Sequence, residues 1–297
     1  MLSIEDFIIT VFCLVDDWLH DFIPDPPLRS RGFEPAVSDS EVIAMESIGE
    51  FPGFDTDKGI WSYFRRHWLP FFPRLSSRST FVRQAANLWA LKARLQQRLS
   101  SQMGAVSDTM HLVDGLPIPV CRFTRANSSR VFRGEAAYGY CAPKDEVYYG
   151  FHGNLLISSC GICTAFTLTC ANADEREALW ELLPGMTGLL IGDKGYFSQR
   201  LKDDLLQCGI DLQTVLRANM HDERPKWWLK TLLSTRRLVE TVIGQLAERF
   251  HIEKVRAREL WHQTSRLIRK LLSHTVAVFI NQLLQREPLL FDHLVAQ

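Results

Sequence analysis

Leu189-Leu190-Ile191-Gly192-Asp193-Lys194-Gly195-Tyr196 reads as a buried strand that ends on an acid and then turns sharply toward a helix. Two other acids sit at comparable places. Asp114 closes the apolar run His111-Leu112-Val113, and Glu240 lies within the amphipathic stretch Arg236-Arg237-Leu238-Val239-Glu240-Thr241-Val242-Ile243. An acid at the end of a buried strand is costly unless something cationic compensates it. Three such acids brought together repel one another unless a metal ion neutralises them. The expectation is a divalent-metal site for phosphoryl transfer.

Outward from that stretch, apolar and β-branched runs predict strands at 109–113, 147–158, 161–169, 187–191 and 211–216. Helical periodicity predicts helices at 174–183, 198–207, 236–250 and 260–284. Three strands, helix, strand, helix, strand, helix is the order of an RNase H-like α/β layer, a mixed sheet flanked by helices. In that arrangement Asp114 leaves the first strand and Asp193 the fourth, as neighbours at the sheet centre. Glu240 then projects from a helix packed across the same end.

The first hundred residues read differently, as helices. One covers 4–20 and is ended by Pro24, Pro26 and Pro27. Ser38-Asp39-Ser40-Glu41 caps a second, and a third runs over 58–68. Ser77 or Ser79 then caps one long helix reaching Leu99, with Arg78, Arg83, Lys92, Arg94 and Arg98 along it. The predicted division is 1–104, an all-helical N-terminal DNA-binding domain with helix-turn-helix character, and 105–297, the RNase H-like catalytic domain.

The chemistry follows from the residue types. Two divalent ions about 4 Å apart clamp the attacking and leaving oxygens of a phosphodiester. Mg²⁺ takes hard oxygen ligands and keeps waters, so two or three carboxylates suffice, with Mn²⁺ as a substitute. Phosphoryl transfer needs positioning and charge more than a protein nucleophile. Asp114, Asp193 and Glu240 are therefore both the catalytic and the metal-binding candidates. Plainer roles exist for each: an Asp114-Gly115 turn, an Asp193 helix cap, and a surface pair of Glu240 with Arg236 or Arg237.

Net charge is zero, with 46% hydrophobic and 23% charged residues, as in a soluble globular protein. The distribution is uneven. Residues 1–60 carry thirteen acids and three bases, residues 61–133 twelve bases and two acids, and residues 217–270 thirteen bases and six acids. Two basic regions bracketing an acid-bearing core point to nucleic acid. No apolar run reaches membrane-span length. The start Met1-Leu2-Ser3-Ile4 lacks the basic opening of a secretory signal, so the expected location is cytoplasmic. Of seven cysteines, only Cys160 and Cys163 form a Cys-x-x-Cys, read as a hairpin turn between strands. Trp227-Trp228, between bases, either packs its connection or stacks on unpaired DNA. His152, on the second strand, either faces solvent or touches the site.

The ordered blocks Leu112-Val113-Asp114, Tyr149-Gly150-Phe151-His152, Ala171-Asn172-Ala173-Asp174, Gly192-Asp193-Lys194-Gly195-Tyr196, Arg217-Ala218-Asn219 and Arg236-Arg237-Leu238-Val239-Glu240-Thr241 carry a resemblance. The chain resembles a bacterial insertion-sequence transposase of the DDE type. Its beginning, Phe12-Cys13-Leu14-Val15-Asp16-Asp17-Trp18, is similar to insertion-sequence family 982. The resemblance implies Asp114, Asp193 and Glu240 as the metal-binding triad and Arg236 as a phosphate-holding base beside the catalytic Glu. Further DNA contacts are expected from Arg237, Lys194, Arg217, Lys254, Arg78 and Arg83. Leu233 and Ala247 depart from the pattern, standing where relatives carry Tyr and Lys. The implied activity is Mg²⁺-dependent cleavage and strand transfer. The implied partners are double-stranded DNA, as terminal inverted repeats and target, and a second copy of the chain on that DNA. The implied location is the bacterial nucleoid. Two other classes remain open at this stage, a DNA-binding regulator and an RNase H-like nuclease that does not join strands.

Overall fold

A computed structural model describes residues 1–22, 34–216 and 220–295. Two compact units emerge. Residues 1–99 and 248–297 form one, and residues 100–247 form the other. The break near 100 lies close to the expected one at 104. Residues 248–297, however, group with the N-terminal helices and not with the sheet, and Arg266, Arg269 and Lys270 are ion-paired to acids there.

The helical unit holds α1 (Ile4–Phe22), α2 (Asp39–Glu50), α3 (Asp57–His67), α4 (Arg78–Asn87) and most of α5 (Trp89–Gln102). The prolines expected to end α1 lie outside the described residues. Ser38 starts α2 with a capping box: the Glu41 amide donates to Ser38 Oγ at 3.1 Å, and the Ser38 amide donates to Glu41 Oε2 at 2.6 Å. Ser77 caps α4, accepting from the Thr80 amide at 3.3 Å.

The single helix expected from there to Leu99 is two, broken at Leu88. In a continuous helix the Ala85 carbonyl would accept from the Trp89 amide. Here it accepts instead from Lys92 Nζ and Ser265 Oγ, both at 3.1 Å. Lys92 is thus not part of a solvated basic face; it is fully buried and ion-paired to Glu46 at 2.7 Å.

The last helix of the chain, Leu260–Leu283, completes this unit. His274 on it is packed edge-on between Phe250 (5.9 Å) and Phe291 (5.1 Å). Complete burial holds its imidazole neutral, with the pKa pushed down to about 3. The unfolded chain takes up that proton near pH 6.5, so stability is whole above this and is lost as pH falls toward 3. We expect His274→Phe to flatten this loss, which amounts to about 1.4 kcal/mol per pH unit. Urea unfolding at pH 7 and pH 4.5 measures it; an unchanged acid sensitivity would exclude His274 as its source.

The second unit is built on a sheet: β1 (Met110–Pro119), β2 (Ala137–Cys141), β3 (Glu146–Ser158), β4 (Cys163–Cys170), β5 (Gly188–Gly192) and β6 (Ile210–Thr214). The strand order is β2-β3-β1-β5-β6, with β4 also paired to β3. β1 lies antiparallel to β3 and parallel to β5, and β5 is parallel to β6. Three helices accompany the strands: a short α6 (Phe123–Ala126) after β1, α7 (Glu175–Leu182) before β5 and α8 (Gln199–Gln207) before β6. Leu179 and Leu182 from α7, Leu201 and Leu205 from α8, and Val113, Leu190 and Leu212 from the strands share one core.

Two features differ from the expectation. β1 runs on past Asp114 to Pro119, and β2 is an additional strand, so Asp193 follows the fifth strand and not the fourth. Cys160 and Cys163 do lie at the turn joining β3 to β4, as free thiols. The helix carrying Glu240, α9 (Lys226–Glu248), starts ten residues earlier than expected, and the last helix, Leu260–Leu283, is α10 in chain order. No helix among the described residues is long and apolar enough to cross a membrane.

Candidate active site

Parallel pairing of β1 with β5 aligns the first two acids. The last paired couple is Leu112 with Ile191, and Asp114 and Asp193 each stand two residues further on. Neither adopts its plainer role. Asp114 sits within β1, where its Oδ1 accepts from the Gly115 amide at 2.8 Å. Asp193 makes no side-chain capping bond to the short 3-10 turn that follows it, Lys194–Tyr196.

Both carboxylates face one guanidinium. Arg236 on α9 lies 3.1 Å from Asp193 Oδ1 and 3.9 Å from Asp114 Oδ2, and only 16% of its side chain is exposed. Burial pushes the Asp114 carboxyl up to about 6, with Asp193 and Glu175 adding to the rise; the Gly115 amide and Arg236 work against it. One guanidinium therefore under-compensates this pair. Two hard-oxygen donors converging on a cation, with charge still to be neutralised, suit a divalent ion.

Glu240 lies one turn beyond Arg236 on the same helix and is exposed. Hence the structure joins Asp114, Asp193 and Arg236, and leaves Glu240 outside that ion-paired group. Among the described residues no group of three His, Cys, Asp or Glu side chains is arranged to hold a metal. Arg237 and Lys194 are exposed residues of the same unit. Arg78, Arg83 and Lys254 are exposed residues of the helical unit. Arg217 lies outside the described residues. Trp227, on the first turn of α9, is 68% exposed and meets Trp228 edge-on at 5.8 Å.

Two further residues stand beside the aspartates: His152, for which the sequence left solvent and the site open, and Glu175, which sequence reasoning passed over. His152 on β3 places Nε2 3.3 Å from Glu175 Oε1, and its Nδ1 is 3.2 Å from the Tyr148 hydroxyl. Glu175 opens α7. Both side chains fill space left by a glycine next to a candidate acid. A Cβ on Gly115 would come within 2.0 Å of His152 Nε2, and one on Gly195 within 3.2 Å of Glu175 Oε2. The glycines in Asp114-Gly115 and Asp193-Lys194-Gly195 were the available signal, read only as turn formers.

Gly115→Ala must displace the His152 ring. We expect it to lower turnover at this site at least tenfold, by the scale on which misplaced groups cost catalysis. His152→Ala should lower it similarly, and the double variant should be no worse than either single one. Independent, multiplying losses would show that the glycine does not act through the imidazole.

Residues 104–260 match the family described as the Transposase DDE domain. No curated protein is detectably similar in sequence. The fold is similar to that of the piggyBac transposase, solved by cryo-electron microscopy as a synaptic complex with hairpin DNA. The TM-score is 0.50 at 10% identity, covering 93% of this chain and 72% of that one. The observed mixed sheet with flanking helices and a helical N-terminal region is accordingly a DDE, RNase H-like architecture.

Proposed function

The chain belongs to the DDE-domain transposases, and from that premise we propose that it mobilises a bacterial insertion sequence of family 982. In this reading it binds the terminal inverted repeats, cleaves DNA and joins the freed 3′-hydroxyl to target DNA. The observation that carries it is the convergence of Asp114 and Asp193, from neighbouring parallel strands, onto one partly buried arginine.

Asp114 and Asp193 would hold the divalent metal, and Glu240, now outside their group, would have to join them as third ligand; two Mg²⁺ ions, or Mn²⁺, take oxygen donors of this kind. When bound, the metal supplies charge neutralisation at the phosphate and acidifies the attacking water or hydroxyl. The protein's own groups do the rest. Arg236 offsets the two aspartates and offers a fork geometry suited to a phosphate. Lys194, exposed beside Asp193, adds positive charge at the same strand end. Arg237, Arg217, Lys254, Arg78 and Arg83 are assigned to backbone contacts on the repeats or target. The proposed working form is a homodimer on paired DNA ends, in the cytoplasm at the nucleoid.

Mg²⁺-dependent nicking of a plasmid bearing the element's ends tests the reading, and joining of pre-cut ends distinguishes a transposase from a nuclease that only cuts. A nicking-dead protein that still binds DNA would be a regulator instead. Salt provides a second check. Each phosphate contact contributes about 0.9 to the slope of log affinity against log salt. We expect Arg78→Ala with Arg83→Ala to lower that slope by about 1.8; an unchanged slope would remove α4 from the interface.

A further inference from the structure

The first half of β3 extends beyond β1 and pairs with β2. Tyr138 stands opposite Tyr149, and Tyr140 opposite Val147, so these four side chains share one face of the ribbon. On that face Tyr149 is buried, at 8% exposed, whereas Tyr138 is 47% exposed, Tyr140 61% and Val147 47%. Phe123 on α6, 54% exposed, meets Tyr138 edge-on at 6.1 Å, and Tyr138 meets Tyr149 at 5.1 Å. Tyr140 is held in place by its hydroxyl, which donates to Asp145 Oδ1 at 2.6 Å. The opposite face carries Tyr148, only 8% exposed. Tyr148 and Tyr149 are therefore packed, while Phe123, Tyr138 and Tyr140 present ordered aromatic rings to water.

Bases surround the rings. Arg122 and Arg125 flank Phe123 on α6, and both are exposed. The Phe132 carbonyl accepts from the Tyr149 hydroxyl at 3.3 Å, which brings exposed Arg133 beside the same ring row. Among the described residues none of these three arginines is ion-paired. A purely apolar partner would leave their charge unanswered, whereas a polyanion answers it. Ring faces stack on bases only when those bases are not enclosed in a duplex.

We propose that this face binds an unpaired stretch of DNA, with Phe123, Tyr138 and Tyr140 stacking on bases and Arg122, Arg125 and Arg133 gripping phosphates. The surface rests on DNA being this chain's partner, not on which acids cut it. Its place in the catalytic unit suits a strand separated from its complement next to the cleavage site.

The test uses the full chain and a short thymidine oligonucleotide, read by fluorescence anisotropy. Tyr138→Ala and Tyr140→Ala should each weaken binding about tenfold, the scale of one lost base stack. Duplex binding should stay within twofold. Tyr138→Phe keeps its ring and should bind as the wild type, a control that separates stacking from folding. Arg122, Arg125 and Arg133 changed to Ala should each lower the salt slope by about 0.7, the single-strand value. Wild-type affinity in the alanine variants overturns the proposal, as does equal loss on duplex and single strand. Loss of self-association in sedimentation, with oligonucleotide binding intact, would make the face a protein interface. A wild-type chain that binds duplex ends but no single strand would sink this inference alone; one that binds no DNA would sink the transposase reading as well.

Discussion

Asp193→Asn and Asp114→Asn are expected to reduce strand cleavage by about a thousandfold or more, the scale set by removing electrostatic stabilisation in phosphoryl transfer. DNA binding should stay within a few-fold. The side chains are near-isosteric, and both aspartates sit where β1 and β5 align them. What changes is charge: one fewer negative group faces Arg236. Because burial already holds the Asp114 carboxyl up to about 6, its neutral replacement should not destabilise the unit. A thermal melt of Asp114→Asn at or above wild type, combined with dead cleavage, is the expected signature of a functional acid kept at a cost in stability. Glu240→Gln should match the aspartate variants in cleavage. If Glu240→Gln cuts at the wild-type rate, the third ligand must be sought elsewhere, and Glu175, which acts electrostatically on Asp114, is the first place to look.

The second large effect lies in the helical unit. Arg269→Met should destabilise it by about 3–5 kcal/mol, the usual result of breaking a buried ion pair from one side. Arg269 is wholly buried and bonds three acids: Asp57 at 2.6 Å, Glu46 at 3.3 Å and Glu50 through Nε. Lys92 meets Glu46 and Lys270 meets Glu50, each at 2.7 Å, and Arg266 meets Asp57 at 2.6 Å. Burial works to raise the Asp57 pKa, but Arg269 and Arg266 outweigh it and hold the carboxyl well below its usual range. Burial raises the Glu46 pKa despite the opposing pull of Lys92 and Arg269. Remove Arg269 and three buried carboxylates are left with two lysines and a peripheral arginine. That loss is a large part of the total stability of an ordinary domain, about 5–15 kcal/mol. Denaturant unfolding measures it; a midpoint shift worth less than 1 kcal/mol would mean that water reaches the network.

The network also shows where reading the sequence stops. Glu46, Glu50 and Asp57 counted toward an acidic N-terminal region, and Arg266, Arg269 and Lys270 toward a basic C-terminal one, as if both were solvated. All six are drawn together inside one helical unit. Composition sees charge but not which charges meet. Elements with local signals were legible. Ser38, Ser77, Asp174 and Ser198 all cap helices that periodicity had placed. The apolar runs ending near Asp114 and Asp193 became neighbouring strands. β2 escaped notice because Ala137-Tyr138-Gly139-Tyr140-Cys141 is short and carries its rings outward. The break at Leu88 escaped because the groups that take the Ala85 carbonyl are the Lys92 and Ser265 side chains, the second of them distant in sequence. At the site, the two aspartates and Arg236 were legible through their blocks. His152 was legible only as one of two alternatives and Glu175 not at all, since their meaning depends on two glycines that only the folded geometry relates to them.

The measurement that tests the central claim most directly is anomalous diffraction from crystals of the full chain soaked with Mn²⁺. The account predicts manganese bonded to Asp114 and Asp193, with Arg236 drawn away from at least one of them, and the peak lost in Asp193→Asn. Manganese bound only elsewhere, or a wild-type site still closed by Arg236 at saturating Mn²⁺, would contradict it.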